Sequence, residues 1–118
     1  MFKSANYLVF IMMVTLALAG CSSMAKKSQN FYFGNYSEAE QHFNKGEFEA
    51  AITKYTQYRT ENPDGNLAII ALYYIGKSHQ ALGHTELAKA AFTDIVKNYP
   101  DVVWANFSEA QLKELNPA

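Results

Sequence analysis

Residues 71–100 read ALYYIGKSHQALGHTELAKAAFTDIVKNYP, and the fold follows from what stands a fixed distance before them. Gly46, Ala51, Tyr55 and Pro63 recur as Gly83, Ala88, Phe92 and Pro100, each pair 37 residues apart. Four matches at one offset mark an internal repeat, and the unit reads helix, glycine turn, helix, proline. Such a unit buries its apolar face only by stacking on a neighbour. Each landmark has a steric reason. Glycine lets the backbone reverse between the helices, alanine lets the two helices approach, and the aromatic ring fills the space below them.

The helices can be read outward from this frame. Phe48, Ala51, Ile52 and Tyr55 stand at i, i+3, i+4 and i+7, one stripe of a helix that ends near Glu61 because Pro63 disfavours helical geometry at Asn62. Asp64-Gly65-Asn66 makes the turn. The next helix, from about Leu67 to Leu82, is apolar on much of its circumference (Leu67, Ile70, Ala71, Tyr74, Ile75, Leu82), the pattern of a central helix packed on both sides. A further helix is expected from Thr85, as N-cap, to just before Pro100, with Leu87, Ala88, Ala91, Phe92, Ile95 and Tyr99 inward. Upstream, Ser37-Glu38-Ala39-Glu40 reads as a capping box opening a short first helix from about Glu38 to Lys45. Downstream, Val103, Trp104, Phe107, Ala110, Leu112 and Leu115 outline a last helix whose opposite face is Asn106, Glu109, Gln111, Lys113 and Glu114. That polar face suits a helix closing the end of a solenoid.

The first twenty residues belong to a different physics. Lys3 precedes a charge-free apolar run from Tyr7 to Ala19, the layout of a secretory signal. At about 20 residues needed to cross a bilayer core, the run is short for a permanent span. Leu18-Ala19-Gly20-Cys21 resembles the bacterial lipobox, in which the cysteine is lipidated on sulfur, exposed by cleavage and acylated on its new amino group. The resemblance implies residues 1–20 as a lipoprotein signal peptide, Cys21 as lipid attachment site and anchor, and 21–35 as lipidated cysteine plus polar tether. Ser22 in place of the inner-membrane retention residue implies the periplasmic face of the outer membrane. Ala17-Leu18-Ala19 also fits ordinary signal cleavage, which would leave Cys21 a free thiol. Phe31-Tyr32-Phe33, after the tether, either packs on the first helix or meets a partner.

The second unit, with Leu72, Ile75, Gly76, Gly83, Ala88, Phe92, Ile95 and Pro100, resembles a tetratricopeptide repeat, whose period is about 34 residues. The additional three residues fall around Asp64 to Asn66. The first unit keeps the glycine, alanine, aromatic and proline but carries Ala39 at the family's small position and lacks the bulky apolar residues before it, so it resembles a degenerate first repeat. The implied fold of 36–118 is all-α: two helix-turn-helix repeats plus a C-terminal capping helix, a short α-solenoid. The wording of 71–100 is similar to repeats of periplasmic proteins coordinating the Tol-Pal envelope system and of lipoproteins that help insert outer-membrane barrels. In such proteins the first helix of each repeat lines a groove for a partner's peptide or helix. Carried over, that face presents Tyr36, Glu40, Phe43 and Asn44 from the first unit and Ile70, Tyr73, Lys77 and Gln80 from the second.

Reactive constellations are absent from the sequence. Cys21 is the one cysteine, so no intrachain disulfide forms, and His42, His79 and His84 lack metalloprotease spacing. His42 and His79 are repeat equivalents where the family usually has an aromatic ring, which implies packing, and His84 is expected to be solvated. There is no nucleophile elbow and no phosphate-binding glycine loop. A net charge of −1 with interspersed signs leaves no basic stripe for nucleic acid. The expectation is a non-enzymatic scaffold in the cell envelope that needs no cofactor beyond covalent lipid on Cys21 and binds periplasmic or outer-membrane proteins. Its rivals are a pilot or assembly lipoprotein for a secretin or barrel complex, and a structural envelope protein that self-associates as a homo-oligomer.

Overall fold

The computed structural model describes residues 32–117. The signal segment, Cys21, the tether through Asn30 and Phe31 lie outside the described residues. Five helices follow one another: α1 Asn35–Asn44, α2 Phe48–Glu61, α3 Asn66–Ala81, α4 Thr85–Asn98 and α5 Val103–Leu115. Each packs on the next in sequence, and α3 also touches α1 and α5 directly. Among the described residues there is no strand, and no helix is long and apolar enough to cross a membrane.

The two turns within the repeats, α1 to α2 and α3 to α4, are built alike. Gly46 (φ 79°) and Gly83 (φ 78°) occupy the left-handed region that glycine enters without steric penalty. Their amides donate to Phe43 O (3.0 Å) and Gln80 O (3.1 Å), and the next amides, of Glu47 and His84, donate to His42 O (2.9 Å) and His79 O (2.8 Å). This is the Schellman closure of a helix C-terminus. Glu47 and His84 then accept, through their own carbonyls, the first bonds of the following helices, from Ala51 N and Ala88 N at 3.0 Å each. One residue thus ends one helix and begins the next. The position expected for a side-chain cap at Thr85 is corrected accordingly: Thr85 is the first helical residue, and no side chain caps α4.

Nothing stands within 4 Å of a Cβ built on Gly83, so the demand there is purely conformational. Gly83→Val is expected to lower stability by at least about 1–2 kcal/mol, with Gly83→Asn recovering much of it because asparagine tolerates the left-handed region. Thermal melting of the two variants checks this, and an unchanged Gly83→Val melt would contradict the turn.

Proline sets the other ends. Asn62 and Tyr99, the residues before Pro63 and Pro100, leave helical geometry with matching backbone angles (φ −135°, ψ 70° and φ −133°, ψ 53°). The first helix departs from expectation. It starts at Asn35 after Gly34 (φ 57°), and Ser37 lies inside it, its Oγ accepting from Phe33 N at 2.8 Å, so the capping box is not formed. Tyr32 is 65% exposed and meets α1 through its hydroxyl, which donates to Glu38 Oε1 at 2.7 Å rather than by packing its ring. Lys54 Nζ lies 2.7 Å from the same carboxylate. The bonds from Lys54 and Tyr32 hold Glu38 below the usual carboxylate range.

Two apolar clusters share α3. Tyr36 and Ala39 of α1, Ala51 and Tyr55 of α2, and Ala71 and Ile75 of α3 form one; Ile69 and Leu72 of α3, Ala91 and Ile95 of α4, and Ala105 of α5 form the other. The expectation of a central helix packed on both sides therefore holds. Alanines 39, 51, 71 and 88 are fully enclosed, which lets backbones approach where larger residues would hold them apart. Buried Ser78 satisfies its hydroxyl by donating to Tyr74 O at 2.7 Å.

Three apolar residues expected inward face solvent. Leu87 is 55% exposed at the start of α4, and α5 packs through Ala105 and Ser108, leaving Val103 and Phe107 54% and 46% exposed. The stripe that buries is the small-residue one, because α5 lies close on α4. Val103 and Phe107 turn elsewhere, while Trp104 packs against the rim of the second cluster.

Candidate interaction surface

The face shared by α1, α3 and α5, together with the first residue of α2, carries an almost unbroken run of aromatic rings. Phe48 meets Phe43 (centroids 5.4 Å apart), Phe43 meets Tyr74 (5.1 Å) and Tyr74 meets Tyr73 (5.4 Å), all edge to face. Tyr73 continues to Trp104 at 5.0 Å, and Trp104 to Phe107 at 5.4 Å. Edge-to-face pairs add about 0.5–1.5 kcal/mol each beyond their area burial and hold the rings in fixed orientations. The helices position the run: Tyr73 and Tyr74 are successive on α3, so one leans toward α5 and the other toward α1.

Polar groups border the rings. Lys77 Nζ donates to Gln111 Oε1 at 3.2 Å, tying α3 to α5. Burial, and then the neighbouring Tyr74 and Glu114, raise the Tyr73 hydroxyl above the ordinary tyrosine value, while a hydrogen bond with Gln111 works the other way. Beside them Phe43, Phe48, Lys77, Gln80 and Ala81 line a cleft of about 250 Å³. Gln80 Oε1 is screened from solvent and meets no protein donor. A second cleft, about 370 Å³, lies between the starts of α3 and α5, lined by Asn66, Ile69, Ile70, Val102, Val103 and Trp104.

The residues expected in the groove divide. Phe43, Tyr73, Lys77 and Gln80 come together on this face, and Ile70 lines the second cleft. Glu40 and Asn44 are exposed on α1. Tyr36 is a correction: only 6% exposed, it packs edge-on against Tyr55 and Tyr58 at 5.6 and 5.4 Å and belongs to the core. Burial pushes the Tyr36 and Tyr55 hydroxyls well above the ordinary tyrosine value, in keeping with that place. Tyr74, Trp104, Phe107 and Gln111 complete the face and were not in the expected set. Trp104 and Phe107 stand at i and i+3, a signal read as core packing of a closing helix rather than as surface.

Both half-buried histidines, His42 and His79, sit near the glycine turns, and His84 is exposed as expected. Among the described residues no three of the His, Cys, Asp and Glu side chains gather into a metal-binding group.

Among curated protein sequences none matches the chain. The family model of the tetratricopeptide repeat matches residues 70–101, the α3–α4 unit with its glycine turn and terminal proline. The described residues are therefore a short all-α solenoid of tetratricopeptide-like repeats, with residues 70–101 matching the repeat itself.

Proposed function

We propose that this protein is a lipid-anchored interaction scaffold of the bacterial cell envelope, holding a periplasmic or outer-membrane protein against the α1/α3/α5 face. The observation that carries the reading is the aromatic run from Phe43 to Phe107 with Lys77, Gln80 and Gln111 beside it. Rigid aromatics give large contact area at low entropic cost, and the amide and ammonium groups set register. Tetratricopeptide repeats are in general interaction modules rather than enzymes, which agrees with such a surface. The anchor rests on the lipobox-like Leu18-Ala19-Gly20-Cys21. The wording of 71–100 resembles repeats of Tol-Pal coordinators and barrel-assembly lipoproteins, and this favours an envelope assembly as the setting.

The face is tested with Phe107→Ala combined with Lys77→Ala. Phe107 is 46% exposed, and half-buried Lys77 makes one hydrogen bond, to Gln111, so stability is expected to fall by no more than about 1–2 kcal/mol. Truncating an aromatic contact residue together with its neighbouring ammonium is expected to cost about 2 kcal/mol or more of binding, roughly thirtyfold. Crosslinking in intact cells followed by mass spectrometry is expected to capture an envelope protein with the wild type and lose it with the variant. Capture of a secretin or barrel-assembly complex would select the assembly-lipoprotein rival. Capture of the protein alone, as a concentration-dependent oligomer, would select self-association through exposed Leu87, Val103 and Phe107.

A further inference from the structure

The turn joining α3 to α4 holds a pair of imidazoles that the interaction surface does not use. The Schellman closure that ends α1 and α3 brings together the side chains of two residues, the third-last of the helix-end motif and the one after its glycine. In the first repeat these are His42 and Glu47, with Nδ1 3.4 Å from Oε2, an ion pair when the imidazole is protonated. In the second repeat His84 stands where Glu47 stood, and Nδ1 of His79 lies 3.3 Å from Nδ1 of His84, a hydrogen bond in which one of the two nitrogens carries the proton. The ring centroids are 5.6 Å apart, well beyond the nitrogen separation, so the two nitrogens occupy the facing edges of the rings. Burial, and then His84, hold His79 below the ordinary histidine value. That favours the neutral form, which ligates metals.

We propose that His79 and His84 form a two-imidazole site for a divalent transition-metal ion of the zinc, nickel and copper class, each contributing Nδ1 once the proton between the two rings has moved to Nε2 of the ring that held it, so that both are neutral Nε2–H tautomers. Metal–nitrogen bonds of about 2.0–2.1 Å at a tetrahedral angle place two ligand nitrogens about 3.3–3.4 Å apart, the separation the turn already holds. The backbone bonds His84 N to His79 O and Gly83 N to Gln80 O fix the two ligand-bearing residues relative to each other, so little conformational freedom is lost on binding. Imidazole selects this class of ion over magnesium and calcium, which take oxygen ligands. Among the described residues no third His, Cys, Asp or Glu joins the pair. The ion therefore keeps positions for water or for a ligand from another molecule, and copper(II) is expected to bind tightest of the three. The His42–Glu47 turn supplies an internal comparison with the same backbone and one imidazole.

The test uses the whole chain with Cys21→Ser, so that no thiol competes, titrated with copper, nickel or zinc chloride by calorimetry. The expected result is one ion per chain, with copper(II) broadening the ring resonances of His79 and His84 before those of His42. His84→Gln and His79→Gln are each expected to weaken uptake by at least about tenfold, since even the loss of an outer-shell partner costs that much. His84 is exposed, so its variant is expected to melt with the parent, and a folded His79→Gln provides the second reading. No uptake at millimolar metal, uptake unchanged in both variants, or equal broadening of His42 would each overturn the site.

Discussion

Phe92→Ala is expected to remove about 3–5 kcal/mol of stability, the range for deleting a fully buried phenylalanine. A domain of this size holds about 5–15 kcal/mol in all, so the variant sits close to unfolding. The reason is local. Phe92 is fully enclosed, its ring lies against Tyr73 with centroids 5.5 Å apart, and its edge rests on the bare backbone of Gly76. A Cβ added to Gly76 would lie 2.7 Å from Cε1 and 2.8 Å from Cζ of that ring, closer than carbons approach. Gly76→Ala is therefore expected to destabilise as well, the overpacking cost of about 1–3 kcal/mol outweighing the gain of about 1 kcal/mol that alanine brings to a helix interior.

The two changes are coupled through one contact, which gives a sharper check than either alone. Gly76→Ala should cost less in a Phe92→Leu background, where the offending ring atoms are gone. In urea unfolding, Phe92→Ala is expected to lower the midpoint with an unchanged slope and to lower Tm by about 12 °C or more. A loss below about 1 kcal/mol, or additive costs in the double variant, would mean that the α3–α4 contact is not as tight as these distances require. In the first repeat the equivalent positions are Ala39 and Tyr55, both fully buried in one cluster, so the chain has two solutions to the same crossing, one with a methyl group and one without.

Cys21→Ala is expected to have the largest effect on location and almost none on folding. Under the proposed anchoring, the wild type sediments with membranes and the variant, with its leader removed, stays in the soluble fraction. Each buried methylene contributes about 0.8 kcal/mol, one acyl chain holds only marginally, and two or three hold stably, so losing the attachment residue abolishes binding rather than weakening it. Melting of the repeat domain is expected to be unchanged, since its two apolar clusters are made of residues from Tyr36 onward. A processed variant that still pellets with membranes would end the lipid-anchor account. A wild-type protein that never pellets would favour ordinary secretion with a free Cys21.

Some of this molecule was legible without coordinates because it depends on backbone chemistry that only a few residues can satisfy. Gly46 and Gly83 announce left-handed turns, Pro63 and Pro100 announce helix ends one residue earlier, and the 37-residue spacing joins these signals into a repeat. Helices α2 to α5 followed from the apolar periods between those marks, and α3 was readable as the shared centre because its apolar residues cover more than one face.

Helix caps and packed faces were decided elsewhere. Ser37 and Thr85 are good capping residues by type, yet Gly34 opens α1, and the Schellman closure on His79 already places His84 at the start of α4, leaving no vacancy for a hydroxyl cap. The side of α5 that buries was set by how near α4 lies: Ala105 and Ser108 fit that gap, and Val103 and Phe107 do not. The candidate surface shares this origin, since Phe43, Tyr73, Lys77 and Gln80 were readable from their place on the leading helices, whereas Trp104, Phe107 and Gln111 joined them only when α5 crossed α3. Tyr36 went the other way, drawn into the core by Tyr55 and Tyr58. Periodicity states that a helix has an apolar side; which of two apolar sides meets a neighbour depends on interhelical distance, and that is a property of the whole packed set rather than of any segment.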